Sequence, residues 1–489
     1  MAQPNPSTPY LILTYLSALT ISSRTHTYIF ARFFPLYPGY HFPPILFTIL
    51  SGILSVVAIL IGQLIIGHIV GDGSRNGKRN AMKLVTASFL VSALAMLLTL
   101  TVAVSLHKYN ILVSIVVRLA YYVAPLFGAS GESVAFLAII LLNDEFSSQD
   151  GEEEEEEQDE KRKRRRSAFF YGSGGVVFIS SMLAGFILEA ALFWRFGFVV
   201  VLGVSIVLGA FAWWVAEKIK LVGDDNGGER VEGLYAAVNG EEEPERGRLI
   251  PGLPEPEVDD TLAGEGPQAA DVGDGVGFFE GYKQILVESG NRARAVFVLF
   301  FLLGISKAVS PWMALTYAAR WGIVDWHQVR ILYLVCPLVS IVILAVVLPL
   351  TLLKSSWSDV RLNLLVGRAS IVLLALGSFL IGFFRPSAVI IAGVVISALG
   401  AATDLSILAF FVGDVDRNVA GRTIMLISAF EKIGLVVGIG GLFPAYSWST
   451  GHPSLAGGLP SFICSGLYAV GAGILFLKFK SAPNSIALP

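Results

Sequence analysis

The most regular feature of this sequence is a series of long apolar segments separated by polar ones. A helix of about 20 apolar residues spans the ~30 Å hydrocarbon core of a bilayer. The pattern predicts twelve membrane-spanning helices, at residues 9–31, 44–70, 82–106, 114–142, 168–192, 196–216, 295–318, 330–353, 366–384, 387–412, 422–445 and 460–478. Arg24 and His26, near the end of the first segment, leave an arrangement of eleven spans open.

Composition points to the same class and argues against several others. Hydrophobic residues make up 54% of the chain and charged residues 15%, which is typical of a membrane protein. The basic residues gather at the ends of apolar segments, so a nucleic-acid partner is not expected. Cys336 and Cys464 lie inside apolar segments, and the six histidines lack the spacing of a zinc or haem site. We therefore expect no metal, no cofactor and no enzyme active site.

Lysine and arginine are distributed unequally between the two sides of the predicted membrane. One side carries fifteen of them, including the block Lys161–Arg166, and the other side carries eight. Short cytoplasmic loops retain positive charge. The first side is therefore predicted to be cytoplasmic, and an even number of spans places both the N-terminus and the C-terminus there.

Polar segments divide the chain into regions. Residues 217–292 are rich in Gly, Glu, Asp and Pro and are predicted to form a largely disordered cytoplasmic linker. Before it lies an N-terminal six-helix half, residues 1–216, whose loop 143–167 is a solvated, charged cytoplasmic loop. After it lies a C-terminal six-helix half, residues 293–480, followed by a tail at 481–489.

Two shorter stretches have the pattern of the membrane–water interface. Trp213 and Trp214 stand just before Glu217, as in an aromatic belt. Phe278–Val287 has apolar residues at near-helical spacing and is expected to lie along the interface before the seventh span.

An internal repeat relates the fourth and tenth segments. Gly128 is followed four residues later by Glu132 and sixteen residues later by Asp144, and Gly400 is followed by Asp404 and Asp416 at the same offsets. This register predicts a duplicated six-span unit, so the two halves are expected to be pseudo-symmetric. The small residues have a simpler alternative role in close helix packing.

Charged residues at mid-membrane depth are the main candidates for function. They are Glu132, Lys307, Asp404 and Glu431, with Lys432 at a similar depth. Such residues usually face a cavity or an oppositely charged partner. The first four are the predicted pathway for substrate and protons, and an acid at this depth could exchange a proton. The alternative is that they are structural ion pairs, and Glu431 and Lys432, about 100° apart on a helix, cannot both point straight into a central cavity.

Twelve spans in two halves, a long linker and a charged loop after the second span resemble the major facilitator superfamily. In the second half, Arg368–Gly382, Ala398–Ala402 and Gly413–Arg422 are similar to a fungal group related to proton-coupled folate-type carriers. The resemblance implies that spans one, four, seven and ten line a central cavity. It would place Glu132 and Lys307 around that cavity together with Asp404.

The same resemblance implies a cytoplasmic gate. Loop 71–79 would be the family's gating loop, although Asp72 stands two residues too far ahead of Gly77. Asp144, Asp416 and Arg422 match cytoplasmic exit positions better. The predicted gate residues are Asp72, Arg75, Arg79, Asp144, Asp416 and Arg422.

These observations predict a secondary active transporter that moves a small solute by alternating access. The Gly-Lys loop at 71–79 lacks the spacing of an ATP-binding loop, so a solute or proton gradient would drive transport. An anion, a zwitterion and an amphiphilic metabolite all suit the charges, and the bilayer and protons are the other expected partners of a monomer. Glu245–Ile250 resembles an acidic dileucine signal, which leaves the plasma membrane and the vacuolar or endosomal membrane open. The alternative function is a non-transporting sensor or scaffold with the same fold.

Overall fold

The computed structural model of the chain is helical, with no strand among the residues that it describes. Those residues are 10–21, 44–71, 75–105, 126, 137, 140–141, 167–168, 171–177, 179–180, 197–219, 282–283, 285–286, 291–309, 314–315, 318–319, 322–355, 359–383, 386–412, 417–449 and 458–479. The longer helices are α1 (Tyr10–Ile21), α2 (Pro44–Gly71), α3 (Arg75–Ser105), α4 (Gly197–Lys218), α5 (Asn291–Lys307), α6 (Trp326–Ile341), α7 (Leu348–Lys354), α8 (Asp359–Gly382), α9 (Ser387–Leu399), α10 (Thr403–Val412), α11 (Arg417–Ser449) and α12 (Leu459–Lys478). We call the described residues before 220 the N-terminal group and those after 290 the C-terminal group.

Helical stretches long and apolar enough to cross a membrane coincide with predicted segments. In the described part of the chain they are Val335–Lys354, Val360–Gly382, Ser387–Phe411, Gly421–Leu442 and Leu459–Lys478. Two shorter apolar helices, Tyr10–Ile21 and Val56–Val70, fall within the first two predicted segments. The prediction of an all-α membrane fold is confirmed. Most of the fourth predicted segment, 114–142, lies outside the described residues.

Three of the predicted spans are interrupted in the structure. A π-helical turn, Val342–Val347, separates α6 from α7, and a 3-10 turn, Gly400–Ala402, separates α9 from α10. Helix α5 ends at Lys307, inside the predicted span 295–318. A hydropathy pattern records the length of a span but not a break within it, so the sequence did not predict these interruptions.

The predicted loop 71–79 is shorter in the structure. Helix α3 begins at Arg75, so Gly77, Lys78 and Arg79 belong to its first turns. The expectation of a nine-residue loop is therefore wrong. Its cause is physical, because polar residues can continue a helix into water beyond its apolar part.

Helix α11 packs against helices of both groups. It packs against α2 of the N-terminal group and against α5 of its own group, while α8 packs against α9, α10 and α12. The end of the bundle that carries Gly71, Asn363 and Gly421 is called the lower end below. The positions of α5, α10 and α11 determine the candidate site.

Candidate functional site

A cluster of charged side chains lies where α5, α10 and α11 meet. The Nζ atom of Lys307 donates to Asp404 Oδ2 and to Glu431 Oε1, each at 2.6 Å. Lys432 Nζ lies 3.6 Å from the same Glu431 oxygen. We call these four residues the charge cluster. Two of its ion pairs are short enough to be charge-assisted hydrogen bonds.

The end of α5 favours the charge that it carries. Lys307 is the last residue of α5, where the helix dipole is negative, and Asp404 lies in the first turn of α10, directly after the 3-10 turn of a span that stays helical. Glu431 lies ten residues after the start and eleven before the end of the apolar stretch Gly421–Leu442, which places it at mid-depth. The end of α5 and the 3-10 turn before α10 thus lie beside opposite charges that contact each other.

Small residues bring α5 and α11 into backbone contact. A Cβ atom on Gly304 would overlap the Glu431 carbonyl, and a Cβ atom on Gly434 would overlap the Phe301 carbonyl. Each glycine is needed because the partner is backbone, which cannot rotate away. Lys307 follows Gly304 by three residues and therefore lies one turn along from this contact.

Exposure differs within the charge cluster. The side chains of Lys307 and Asp404 are 35% and 39% exposed, whereas those of Glu431 and Lys432 are 7% and 3% exposed. The first pair therefore faces an accessible space, and the second pair lies behind it. Tyr468 on α12 is buried and interacts electrostatically with Lys307, Asp404 and Glu431.

A neutral polar contact joins the two groups one turn nearer the lower end. Ser428 lies three residues before Glu431, and its hydroxyl donates to Gln63 Oε1 of α2 at 2.8 Å. Both side chains are fully buried. The amide nitrogen of Gln63 has no hydrogen-bond partner in the part of the chain that the structure describes. A buried donor without a partner costs free energy, so this contact stabilises the structure less than a fully paired one would.

Close helix packing continues towards the lower end. A Cβ atom on Gly67 would lie 2.6 Å from Met425 Cβ, and one on Gly421 would lie 3.2 Å from Val70 Cγ1. Tyr282 is buried, and its hydroxyl donates to the Leu64 carbonyl of α2 at 2.8 Å. This residue, which precedes α5, thereby attaches the predicted interfacial segment to the N-terminal group.

A second set of contacts closes the other side of the lower end. Tyr171 donates to Asn363 Oδ1 at 2.8 Å, and Asn363 Nδ2 donates to Ser167 Oγ at 3.3 Å. Further up, at mid-depth, a Cβ atom on Gly175 would lie 2.6 Å from Ala345 Cβ. The two groups therefore meet on two sides of the lower end, through small residues and neutral hydrogen bonds.

The structure brings together three of the four predicted pathway residues, Lys307, Asp404 and Glu431. Glu132 lies outside the described residues. Lys432 belongs to the cluster as well, although the prediction did not include it in the site. Its depth in the membrane was a signal for the site, but the angle between Glu431 and Lys432 argued against including both. That argument fails here because a long lysine side chain can reach around its helix.

The predicted gate residues are only partly described. Arg79 is exposed in the first turns of α3, and Arg422 is partly buried near the start of α11, within electrostatic range of Tyr282. The backbone of Arg75 begins α3. Three acids of the predicted gate lie outside the described residues: Asp72, Asp144 and Asp416. Sequence reasoning missed the neutral contacts of Gln63 and Tyr282, since hydropathy and charge do not mark such residues.

The described residues do not form a metal site. Among them, no three His, Cys, Asp or Glu side chains come close enough to hold a metal ion. The two carboxylates of the charge cluster share Lys307, whose ammonium occupies the position between them. The arrangement is suited to an exchange of ion-pair partners.

Comparison with known proteins identifies the family. The family model described as Major Facilitator Superfamily matches residues 158–439. The chain belongs to the Major Facilitator Superfamily. Members of this superfamily are transporters rather than enzymes, and they bind small-molecule substrates, in some cases together with protons. The protein is therefore an integral, multi-pass membrane protein with a transporter fold. No curated protein matches the sequence.

Solved structures of the superfamily share the fold. The human organic anion transporter MFSD10 (TETRAN) is 13% identical, with a TM-score of 0.57 over 97% of this chain and 100% of its own. The proton:xylose symporter XylE bound to 6-bromo-6-deoxy-D-glucose is 13% identical, with a TM-score of 0.59 over 98% of this chain and 97% of its own. An outward-facing bacterial homologue of the iron transporter ferroportin, with soaked iron, is 10% identical, with a TM-score of 0.64 over 97% of this chain and 99% of its own. Identities this low show the common fold alone.

Proposed function

We propose that the protein is a secondary active transporter that carries a small solute by alternating access, with the charge cluster as part of its binding site. The observation that carries this proposal is the half-exposed pair Lys307–Asp404 at a junction of three helices inside a membrane protein. Charges at such depth are costly to keep unless they face a cavity or a partner. A pair that is both matched and accessible fits a site that exchanges partners with a solute.

The contacts at the lower end support alternating access. The two groups touch there through Gly67 and Met425 on one side and Tyr171 and Asn363 on the other. The Lys307–Asp404 pair remains accessible in the same conformation. A conformer closed at the lower end and open elsewhere is one of the two that such a carrier needs. In the opposite conformer, the Ser428–Gln63 hydrogen bond would break.

We further propose that Glu132 completes the site from the N-terminal group. The matching offsets of Glu132 and Asp404 from a glycine, four residues in each case, support this assignment. The proposed boundaries are those of the two six-helix halves, 1–216 and 293–480. The lysine and arginine distribution supports cytoplasmic termini and a cytoplasmic lower end. The proposal also includes membership of the fungal folate-type group, and a location in the plasma membrane or in the vacuolar or endosomal membrane.

Flux in proteoliposomes tests the proposed function. Vesicles with the purified full chain would be loaded with a mixture of sugars, amino acids, organic acids and nucleosides, and exchange across the bilayer would be followed by mass spectrometry. We expect wild-type protein to exchange at least one solute and Lys307→Gln to lose that exchange. Lys354→Gln, which removes an exposed lysine outside the charge cluster, is the matched control and should retain it. No exchange of any solute by the wild-type protein would reject the transporter proposal.

A further inference from the structure

The charge cluster is electrically balanced in the described conformation. Two lysines and two carboxylates give it a net charge of zero, counting Lys307 and Lys432 against Asp404 and Glu431. Glu132, which the proposed function adds to the site, is taken as a protonated and therefore neutral carboxyl, since low dielectric disfavours its charged form. A membrane site must keep its charge small because low dielectric makes an unpaired charge expensive. Any solute that enters and travels with the site should preserve this balance.

The two carboxylates are not equivalent. Glu431 Oε1 contacts both lysines and is almost entirely buried, whereas Asp404 contacts Lys307 alone and is 39% exposed. Protonation of Glu431 would remove the negative charge that both lysines share. Protonation of Asp404 removes one ion pair, at a position that protons from water can reach.

We propose that Asp404 is the proton carrier of this site and that the cargo is a small organic monoanion, whose carboxylate takes the place of Asp404 on Lys307. The inference rests on the proposed transport function and deepens it by assigning a substrate class and a coupling residue. Three observations support it together: the shared lysine, the difference in exposure and the neutral charge count.

The groups around Asp404 agree with this assignment. Lys307 faces it from α5, Glu431 and Lys432 lie beyond it on α11, and Tyr468 is within electrostatic range on α12. The 3-10 turn before α10 contains only glycine and alanine. On α8, which also packs against α10, Arg368 is directed away, because its guanidinium donates to the carbonyls of Leu475 and Phe479. Lys307 is therefore the cation in direct contact with Asp404 in the described part of the structure.

The exchange balances in protons and charge. A proton from the outer solution binds the Asp404 carboxylate, which becomes neutral and releases one acceptor contact on the Lys307 ammonium. The cluster then carries one net positive charge. A monoanion binds the released ammonium and restores a net charge of zero. One proton and one monoanion move together, so each transport cycle carries no net charge.

Other solute classes fit the balance less well. A zwitterion could bridge Lys307 and ionised Asp404 without any proton, and a neutral solute would leave a protonated cluster with an uncompensated charge. A dianion would leave the loaded cluster with a net negative charge. These alternatives make different predictions for proton dependence and for current.

Matched pairs of hydrophilic probes test the substrate class. Uptake of gluconate against glucose, nicotinate against nicotinamide, and pantothenate against pantothenol would be measured in proteoliposomes at equal outside concentration, with betaine as the zwitterion. We expect uptake of at least one anion, at least tenfold above its neutral partner, and faster uptake when the outside is acidic. A trapped pH dye should report one proton per anion, and a potassium diffusion potential should not change the rate.

Substitutions test the coupling residue separately from folding. Asp404→Asn should lose accumulation driven by a pH gradient, and any remaining exchange of the anion between the two sides of the vesicle should no longer depend on the outside pH. Asp404→Glu should restore part of that accumulation, and Lys307→Gln should lose both activities. Gradient-driven accumulation that persists in Asp404→Asn would overturn the role of Asp404.

The outcomes for the two proposals are distinguishable. Preference for the neutral probes or for betaine, or uptake of none of the anions, would overturn the monoanion class. The transport proposal would still stand if the metabolite mixture described above shows exchange. Loss of exchange for the whole mixture would reject transport itself.

Discussion

The unequal burial of the two ion pairs predicts unequal interaction energies, which double-mutant cycles can measure. The perturbations are Lys307→Gln, Asp404→Asn and Glu431→Gln, alone and in the two pairs that include Lys307. Each coupling energy is the difference between the effect of the double substitution and the sum of the two single ones. Asparagine and glutamine are near-isosteres of the two acids, and glutamine at position 307 is a neutral side chain one atom shorter than lysine.

The magnitudes follow from exposure. The Lys307–Asp404 pair, whose side chains are 35% and 39% exposed, should couple by about 1 kcal/mol or less, as partly hydrated pairs do. The Lys307–Glu431 pair has the same 2.6 Å distance, but the carboxylate is only 7% exposed. Truncation of one member of a buried pair costs roughly 3–5 kcal/mol, and Lys432 compensates part of this loss. We expect a coupling energy of about 2–3 kcal/mol for the Lys307–Glu431 pair.

The assay is reversible unfolding by SDS in mixed micelles, followed by tryptophan fluorescence from the eight tryptophans of the chain. The free energy of unfolding of each variant would be compared under one set of lipid and detergent conditions. Equal coupling energies for the two pairs, or a larger value for the Asp404 pair, would refute the reasoning that burial distinguishes the carboxylates. The proton-carrier assignment would then lose one of its three supports.

Three further predictions concern helix contacts. Gly434→Leu should destabilise the fold by about 3 kcal/mol or more, since its Cβ overlaps a backbone carbonyl of α5. Gly440→Leu, which has open space around its Cβ, is the control. In size-exclusion chromatography the control should elute like wild type. Val70→Cys with Gly421→Cys, whose Cβ atoms would lie 3.9 Å apart, should form a disulfide on oxidation, block transport, and recover it on reduction, and a low cross-linking yield would contradict closure at the lower end. Tyr282→Phe loses a hydrogen bond worth about 1 kcal/mol and should reduce the yield of that same cross-link by opening the lower end more often.

The sequence predicted much of the membrane architecture because the length of an apolar segment directly reflects the length of the membrane-spanning helix. The predicted segment 460–478 and helix α12, Leu459–Lys478, differ by one residue at the start. Breaks within spans were not predictable in this way. Gly400 and Pro337 mark two of the interrupted spans, but glycine and proline also occur in continuous transmembrane helices, so their presence alone does not identify a break.

The candidate site was predicted by the cost of charge in the membrane. That principle selected Lys307, Asp404 and Glu431, which the structure joins through one ammonium group. It could not determine that Lys432 would reach the same carboxylate, because reach depends on side-chain rotamers. Nor could it identify Gln63, a neutral residue whose importance arises only from its contact with another helix.

Backbone contact between α5 and α11 has a consequence for pharmacology. Because Gly304 lies against the Glu431 carbonyl, α5 and α11 are in direct backbone contact, and we expect the spacing of their charges to persist through every conformer of the cycle. A drug-like anion directed at Lys307 would then meet the same spacing of charges in each conformer. A compound that binds between Gln63 and Ser428 would instead hold the lower end open. Its potency would depend on the population of the conformer in which that end is open.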